Sequence, residues 1–343
     1  MNQNIDNKSN VFVKKSKKLF VENLNKLNPK ELFMKYSIFL VLIVLIVVFS
    51  GLSPKFLGSA NIGNFLRQIP TVGIFTVAIT MIMITGGVDL SIGAIAAFSG
   101  TIAAYMSVQG FNPVIVIAAC LAIGALWGMF NGALISKFKL EPFILTLGTS
   151  YLIRGLILFL TNGIYIKGVP DWFYNISNTT IGTKLVHSNT VIFILIVILM
   201  AFVMKNTRFG RYCYAVGSNK EAARLSGINV NKHFIKVFAL EGSLAALAGL
   251  LLMSNLNVGA PSEASGIDLF AMAAAIIGGA QFGGGIGTIG GAIVGILTIQ
   301  VFQSGLAIMG VNTFIQQAVT GGIIAVAVIV DFYRKNSTLK IKI

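Results

Sequence analysis

Residues Tyr36–Gly51 read YSIFLVLIVLIVVFSG, an apolar run without one charge. A helix needs about 20 predominantly apolar residues to cross a hydrocarbon core, and this run reaches that length with its flanks. Outward from it, hydropathy and breakers place further spans near 69–86, 90–108, 113–136, 142–161, 188–204, 237–256, 267–283, 288–309 and 314–331, with the first at 36–53. Composition agrees: 55% of the residues are hydrophobic, 11% are charged and the mean hydropathy is +0.84. A soluble domain is typically about a quarter charged, so the remaining solvent must be lipid. The expected fold is an all-α polytopic membrane protein with about ten transmembrane helices, some broken at Gly-rich segments.

The net charge of +15 belongs to topology and not to nucleic acid. Lys and Arg gather in cytoplasmic loops because translocating them is unfavourable. With ten spans and a cytoplasmic N-terminus, 21 of the 26 basic residues fall in cytoplasmic segments. The external segments hold Lys55, Arg67, Lys167 and Lys184, and Arg154 sits within a span. Both termini are therefore expected in the cytoplasm. The organisation that follows is a basic N-terminal arm (1–35), a transmembrane domain (36–331) containing a hydrophilic loop (205–236), and a basic tail (332–343). The first apolar run lacks a small-residue cleavage site, so it is expected to stay as an uncleaved span. Cys120 in an apolar run and Cys213 in a basic loop do not form a disulfide framework.

No G-x-x-x-x-G-K-[ST] occurs, so the chain carries no P-loop of its own. The segment GGGIGTIGG (283–291) matches a dinucleotide fingerprint only loosely and follows a membrane span. His187 and His233, the two histidines, fall on opposite sides of the membrane in this topology, which leaves no His-based metal site. Gly93, Gly100, Gly124, Gly128, Gly132, Gly242, Gly249 and Gly295 predict close helix packing in lipid. Trp172, Phe173 and Tyr174 read as a membrane–water interface cluster.

Ionisable groups in lipid are costly and tend to be functional. Asp89 and Glu241 lie near the inner ends of spans, with Arg154 deeper. Glu141 before Pro142 reads as a helix cap, and Asp89 before Ser91 reads as a cap or a gate residue. Arg154 is expected to pair internally or to snorkel. Neutral polar residues within spans suit a hydroxyl-rich solute better: Asn131, Ser243, Asn255, Gln300, Gln303, Gln316 and Gln317. The expected path set is Asp89, Ser91, Asn131, Asn255, Gln300, Gln303 and Gln316. Residues 86–93 (GGVDLSIG) and 278–285 (GGAQFGGG) echo one another, which places helix breaks at Gly86, Gly87, Gly278 and Gly279. In the 205–236 loop, Asn219, Glu221-Ala-Ala-Arg-Leu and Gly227 read as a short helix with a cap and a Gly stop. Such a loop exceeds what a connection needs, and suggests a docking element.

At this loop the sequence resembles a known family. EAARLSG (221–227) resembles the EAA-x-x-x-G signature of binding-protein-dependent ABC importers, without the isoleucine and terminal Leu-Pro of its second half. That departure is typical of ribose/galactose-type permeases, whose pattern the string TRFGRYCYAVGSNKEAARLSGINV (207–230) closely resembles. GGVDLSIG (86–93), EPFILTLGTSYLIRGL (141–156), GTIGGAIVGIL (287–297) and the apolar run ending at Asp331 resemble further blocks, in consistent order over residues 36–333. One block departs: Phe270 replaces the second carboxylate after Asp268-Leu269, and Ala280-Gln281-Phe282 follows the paired glycines. The resemblance therefore implies the sugar class, not ribose in particular, and related permeases handle galactose, xylose, autoinducer-type sugars or nucleosides.

What the resemblance implies is a non-enzymatic permease in the bacterial inner membrane. Glu221, Ala222, Ala223, Arg224 and Gly227 would insert into ABC ATPase subunits. An extracytoplasmic sugar-binding protein would deliver substrate, and a second permease subunit, identical or paralogous, would complete the pathway. No cofactor belongs to this chain, ATP-Mg being bound by the ATPase. A related importer permease for nucleosides or branched-chain amino acids shares the architecture. A proton-coupled secondary carrier using Asp89 and Glu241 as relay carboxylates is the alternative of a different class.

Overall fold

The computed structural model describes residues 29–182 and 185–340. Its regular elements there are helices: α1 (Pro29–Leu52), α2 (Ser59–Ile84), α3 (Ile92–Val108), α4 (Pro113–Phe138), α5 (Pro142–Thr161), α6 (Asp171–Asn178), α7 (Ser188–Asn206), α8 (Arg208–Ser218), α9 (Lys220–Leu225), α10 (Val230–Leu256), α11 (Ile267–Ile277), α12 (Ile289–Ile308) and α13 (Thr313–Lys340). Six of them, α2, α4, α5, α7, α10 and α12, are long and apolar enough to cross a membrane, and Ile38–Leu52, α3, α11 and Thr313–Val326 are shorter apolar helices. The all-helical, multi-pass reading of the sequence is borne out. Most of the basic arm expected at 1–35, and residues 341–343 of the tail, lie outside the described residues.

Local chemistry accounts for the boundaries. Asn112 starts α4 by accepting the Val114 N–H at 2.9 Å, with Pro113 in the first helical position, where its missing donor costs nothing. The Asn229 side chain caps the Lys232 N–H at 3.0 Å, so α10 begins at Val230 and not near 237. Helix α2 begins at Ser59, ten residues before the expected span start at 69, and carries Pro70 within it. Helix α11 stops at Ile277, short of the expected 283, because Gly279 turns the chain with φ 93°.

Helices α2 and α10 form the interior. Every residue of α2 from Ile69 to Ile84 is buried except Val72. Helix α10 packs against α2, α3 and α4, and α2 also meets α7, α11 and α12. The glycines expected to allow close packing do so: a Cβ on Gly242 would overlap the Gly124 carbonyl oxygen, and one on Gly100 would lie 2.7 Å from that of Gly249. Helix α10 is thus held between α4 and α3 at backbone distance, the arrangement small residues permit in lipid. Helices α4, α5 and α7 instead turn large apolar side chains outward, among them Val114, Leu126, Ile144, Phe159, Leu195 and Phe202. Patches of that extent mark contact with lipid or protein.

The connections gather at two ends. At the basic end, Ser136 reaches the Asn231 carbonyl and Tyr214 that of Gly287. At the opposite end, Ile166 pairs with Gly259, Arg67 meets His187, and Ser304 meets Asn61. Helix α3 has 17 residues and α11 has 11, about 25 and 16 Å at 1.5 Å per residue, both short of a roughly 30 Å core. Their N-terminal ends meet inside the bundle, where a Cβ on Gly93 would overlap the Ala264 carbonyl oxygen and lie 3.1 Å from Ile267.

Candidate functional site

Between α2, α10, α11 and α12 lies a cavity of about 390 Å³, lined by Gln68, Thr71, Val72, Leu252, Asn255, Ser265, Gly266, Ile267, Phe270, Gln300 and Gln303. Its volume is at the low end of small-ligand clefts. The lining contains no ionisable side chain. Gln300 Nε2 donates to Gln68 Oε1 at 2.9 Å, and Gln303 Nε2 to Thr320 Oγ1 at 3.2 Å. A primary amide carries two donors and an acceptor with two lone pairs, so each amide in these bonds retains hydrogen-bonding capacity toward a solute. Phe270 supplies an aromatic wall beside them.

Of the residues expected along a path, Asn255, Gln300 and Gln303 share this cavity. Asp89, Ser91 and Asn131 form a separate group nearer the basic end. The Asp89 carboxylate accepts from the backbone N–H and the hydroxyl of Ser91, both at 2.6 Å, and Asn131 Nδ2 donates to Ser91 Oγ at 2.8 Å. All three are buried, as is Glu241 beside Asp89, and both Glu241 carboxyl oxygens and Asp89 Oδ2 are without a hydrogen-bond partner. Glu241 lies 11 positions into α10, deeper than the span edge at which the sequence placed it. Gln316 donates to the Val311 carbonyl at 2.7 Å near the start of α13, away from the cavity. Ser243 bonds across to the Leu121 carbonyl.

A second cavity of about 310 Å³ lies on the other side of the Ser262–Gly266 crossing, with Leu90, Ser150, Tyr151, Arg154 and Asp268 among its lining. Arg154 donates to the Glu263 carbonyl at 2.6 Å and to that of Pro261 at 3.3 Å. It thus pairs internally, one of its two expected roles. Glu141 occupies the N-cap position of α5 but makes no side-chain cap bond. Asp89 does not cap α3 either: Ser91 holds the cap position, and Asp89 closes a tight turn onto it. Phe173, expected at an interface, is wholly buried in a core with Cys120, Ala246 and Met253.

At the basic end the short helix expected around residue 221 is present as α9. Asn219 accepts the Ala222 N–H at 3.0 Å, and Gly227 ends the turn with φ 84°. Of this helix only Ala223 is buried, while Glu221 and Arg224 pair at 3.0 Å in the open. Helix α8, unanticipated, precedes it and buries Cys213, whose thiol desolvation pushes up to about 11. The glycines expected at helix breaks stand at equivalent ends. The Gly86 and Gly87 N–H groups bond the Met83 and Ile82 carbonyls, and those of Gly279 and Ala280 bond Ile276 and Ala275. This is one Schellman turn used twice. It pairs Gly86 with Gly279, one residue out of step with the alignment of the two glycine pairs by sequence.

Sequence reading missed Gln68, Thr71 and Ser265 in the cavity. The first lay outside a span started at residue 69, and the last belongs to a connection. Amides on neighbouring helices were the available signal, and α2's true start at Ser59 would have added Gln68 to them.

A family model described as "Branched-chain amino acid transport system / permease component" matches residues 61–328, and the chain belongs to this family of transport permeases. The chain resembles the ribose import permease RbsC of Bacillus subtilis (strain 168), 39% identical over 304 residues, 88% of this chain and 94% of that one. It resembles the D-allose permease AlsC of Escherichia coli (strain K12), 37% identical over 87% of this chain and 91% of that one. The L-arabinose permease AraH of Azospirillum brasilense is 32% identical over 91% of this chain and 92% of that one. No solved structure matches. The resemblance to ribose/galactose-type ABC permeases seen in the sequence motifs is borne out.

Proposed function

We propose that this chain is the membrane-spanning subunit of an ATP-driven importer for a small neutral sugar. The observation that carries the reading is the 390 Å³ cavity, whose polar lining is amide and hydroxyl. Amides exchange hydrogen bonds with sugar hydroxyls and hold no fixed charge that would trap the solute. The names of the ribose, allose and arabinose relatives support the same class. The chain crosses the bacterial inner membrane ten times in this reading, with both termini and the 205–236 loop in the cytoplasm. Its cavity then lies toward the outer face, where an extracytoplasmic binding protein delivers the sugar. A second permease subunit completes the pathway. The chain itself hydrolyses nothing; ATP-Mg is bound by partner subunits that dock on Glu221, Ala222, Ala223, Arg224 and Gly227.

Co-purification from native membranes in mild detergent, with identification of every associated chain, tests this. An ATPase with a P-loop is expected, together with uptake of radiolabelled ribose, allose or arabinose that stops on ATP depletion. Uptake that survives ATP depletion and collapses with the proton gradient would overturn it in favour of a carrier working through Asp89 and Glu241.

A further inference from the structure

The α8–α9 corner touches the membrane-embedded bundle where no side chain intervenes. Gly217, next to last in α8, lies directly on the carbonyl of Ile84, the last residue of α2: a Cβ there would overlap that oxygen and come within 2.5 Å of the Gly285 nitrogen. The same Ile84 carbonyl accepts the Gly285 N–H at 2.8 Å. A Cβ on Gly284 would lie 2.7 Å from the Gly217 oxygen and 2.8 Å from the Gly86 Cα. Gly86 (φ 82°), Gly284 (φ 80°) and Gly285 (φ 76°) all hold the left-handed conformation that favours glycine. Tyr214 Oη fastens the corner by donating to the Gly287 carbonyl at 3.0 Å.

We infer that Gly217 is the positioning residue through which displacement of α9 enters the bundle, reaching the Gly86 turn and the Gly284–Gly285 connection at once. The inference rests on the reading of α9 as the ATPase-docking helix. Side chains in contact can yield by changing rotamer, whereas two backbones at van der Waals distance must move together. From Gly86 the chain runs three residues to Asp89 and five to Ser91, members with Asn131 of the group at the entry to α3. From Gly285 and Gly287 it runs straight into α12, whose Gln300 and Gln303 line the cavity. A single contact therefore connects α9 to the start of one short helix and to one wall of the cavity.

The test uses the complete complex with its ATPase subunits in nanodiscs and needs no identified sugar. Ser265, exposed on the cavity lining, is changed to Cys and its labelling rate by a maleimide is compared with and without ATP-vanadate trapping. The native thiols are buried, so the introduced one carries the signal. In the parent the rate is expected to change at least about fivefold on trapping. With Gly217→Ala that ratio is expected to fall to about one while ATP hydrolysis continues. Tyr214→Phe, which leaves the space unchanged, is expected to fall between. Gly290→Ala, with nothing within 4 Å of its Cβ, should behave as the parent.

A Gly217→Ala complex that hydrolyses ATP and keeps the parental ratio overturns the inference and leaves the functional reading standing. A Gly217→Ala chain that fails to assemble shifts the decision to Tyr214→Phe, whose parental ratio overturns it equally. A parent that binds no ATPase, or whose labelling ignores nucleotide, overturns the functional reading first and this inference with it.

Discussion

Around the cavity, Gln68, Asn255, Gln300 and Gln303 reach the open space through side chains with several rotatable bonds. At the basic end, Ile84, Gly217 and Gly285 meet backbone to backbone with none. The first arrangement can rearrange its hydrogen bonds around differently placed hydroxyls at the cost of rotamer changes. The second cannot rearrange without moving whole helices. Small side chains thus do two jobs in this chain: they close the gap between helices, and they remove the slack between a surface element and the interior.

The contrast breaks if backbone contacts prove as forgiving as side-chain ones. The largest effect is expected from Gly242→Leu, which drives a side chain into the Gly124 carbonyl. Overpacking of a rigid interface costs about 3 kcal/mol or more, so the variant should lose its monodisperse peak in fluorescence-detected size exclusion. Gly155→Leu, with nothing within 4 Å of its Cβ, should keep it. Next comes the buried carboxyl pair. Glu241→Ala leaves a cavity beside Asp89 in the packed interior, costing about 3 kcal/mol. Glu241→Gln preserves shape and adds an amide that can donate to Asp89, costing less than about 1 kcal/mol. Thermal unfolding of the two variants should separate them clearly, and equal losses would show that filling the space beside Asp89 is not what the site needs.

Smaller still is Gln300→Leu, which removes hydrogen bonds worth roughly 1–1.5 kcal/mol to a bound solute. An about tenfold rise in the half-saturating concentration for uptake is expected, with the unfolding midpoint little changed. A midpoint that falls as far as that of Glu241→Ala would make Gln300 part of the scaffold and not of the cavity's adaptable lining. The smallest effect belongs to Glu221→Gln, which breaks an exposed ion pair with Arg224. Surface pairs of this kind contribute about 0.5 kcal/mol or less, so stability should not move measurably. Any loss of uptake in that variant reports contact with a partner.

Much of the architecture was legible in the chain because lipid imposes its demand residue by residue. Helix α5 occupies 142–161 as read, since Pro142 suits the first helical position and Asn162 ends it with φ 51°. Helix α9 was legible through Asn219 and Gly227, whose effects act within one turn. The span expected from 69 began too late, because α2 continues N-terminally through Pro70, a break that neighbouring helices make tolerable in a membrane bundle, and Gln68 was lost with it. Phe173 misled for a related reason: its aromatic neighbours suggest an interface, yet α6 folds back and buries it against α10.

By itself, then, the sequence determined that the chain lives in lipid, that its elements are helices, and where most of them start and stop. These follow from hydropathy, charge and local caps, which act over a few residues. Only the tertiary structure decided that Asn255, Gln300 and Gln303 share one cavity while Asn131 and Gln316 do not. It also set Asp89 against Glu241, matched Gly86 with Gly279, and laid Gly217 on Ile84. The last three pairings join residues 133 to 193 positions apart, and helix packing, which fixes them, depends on shapes that no single stretch of sequence contains.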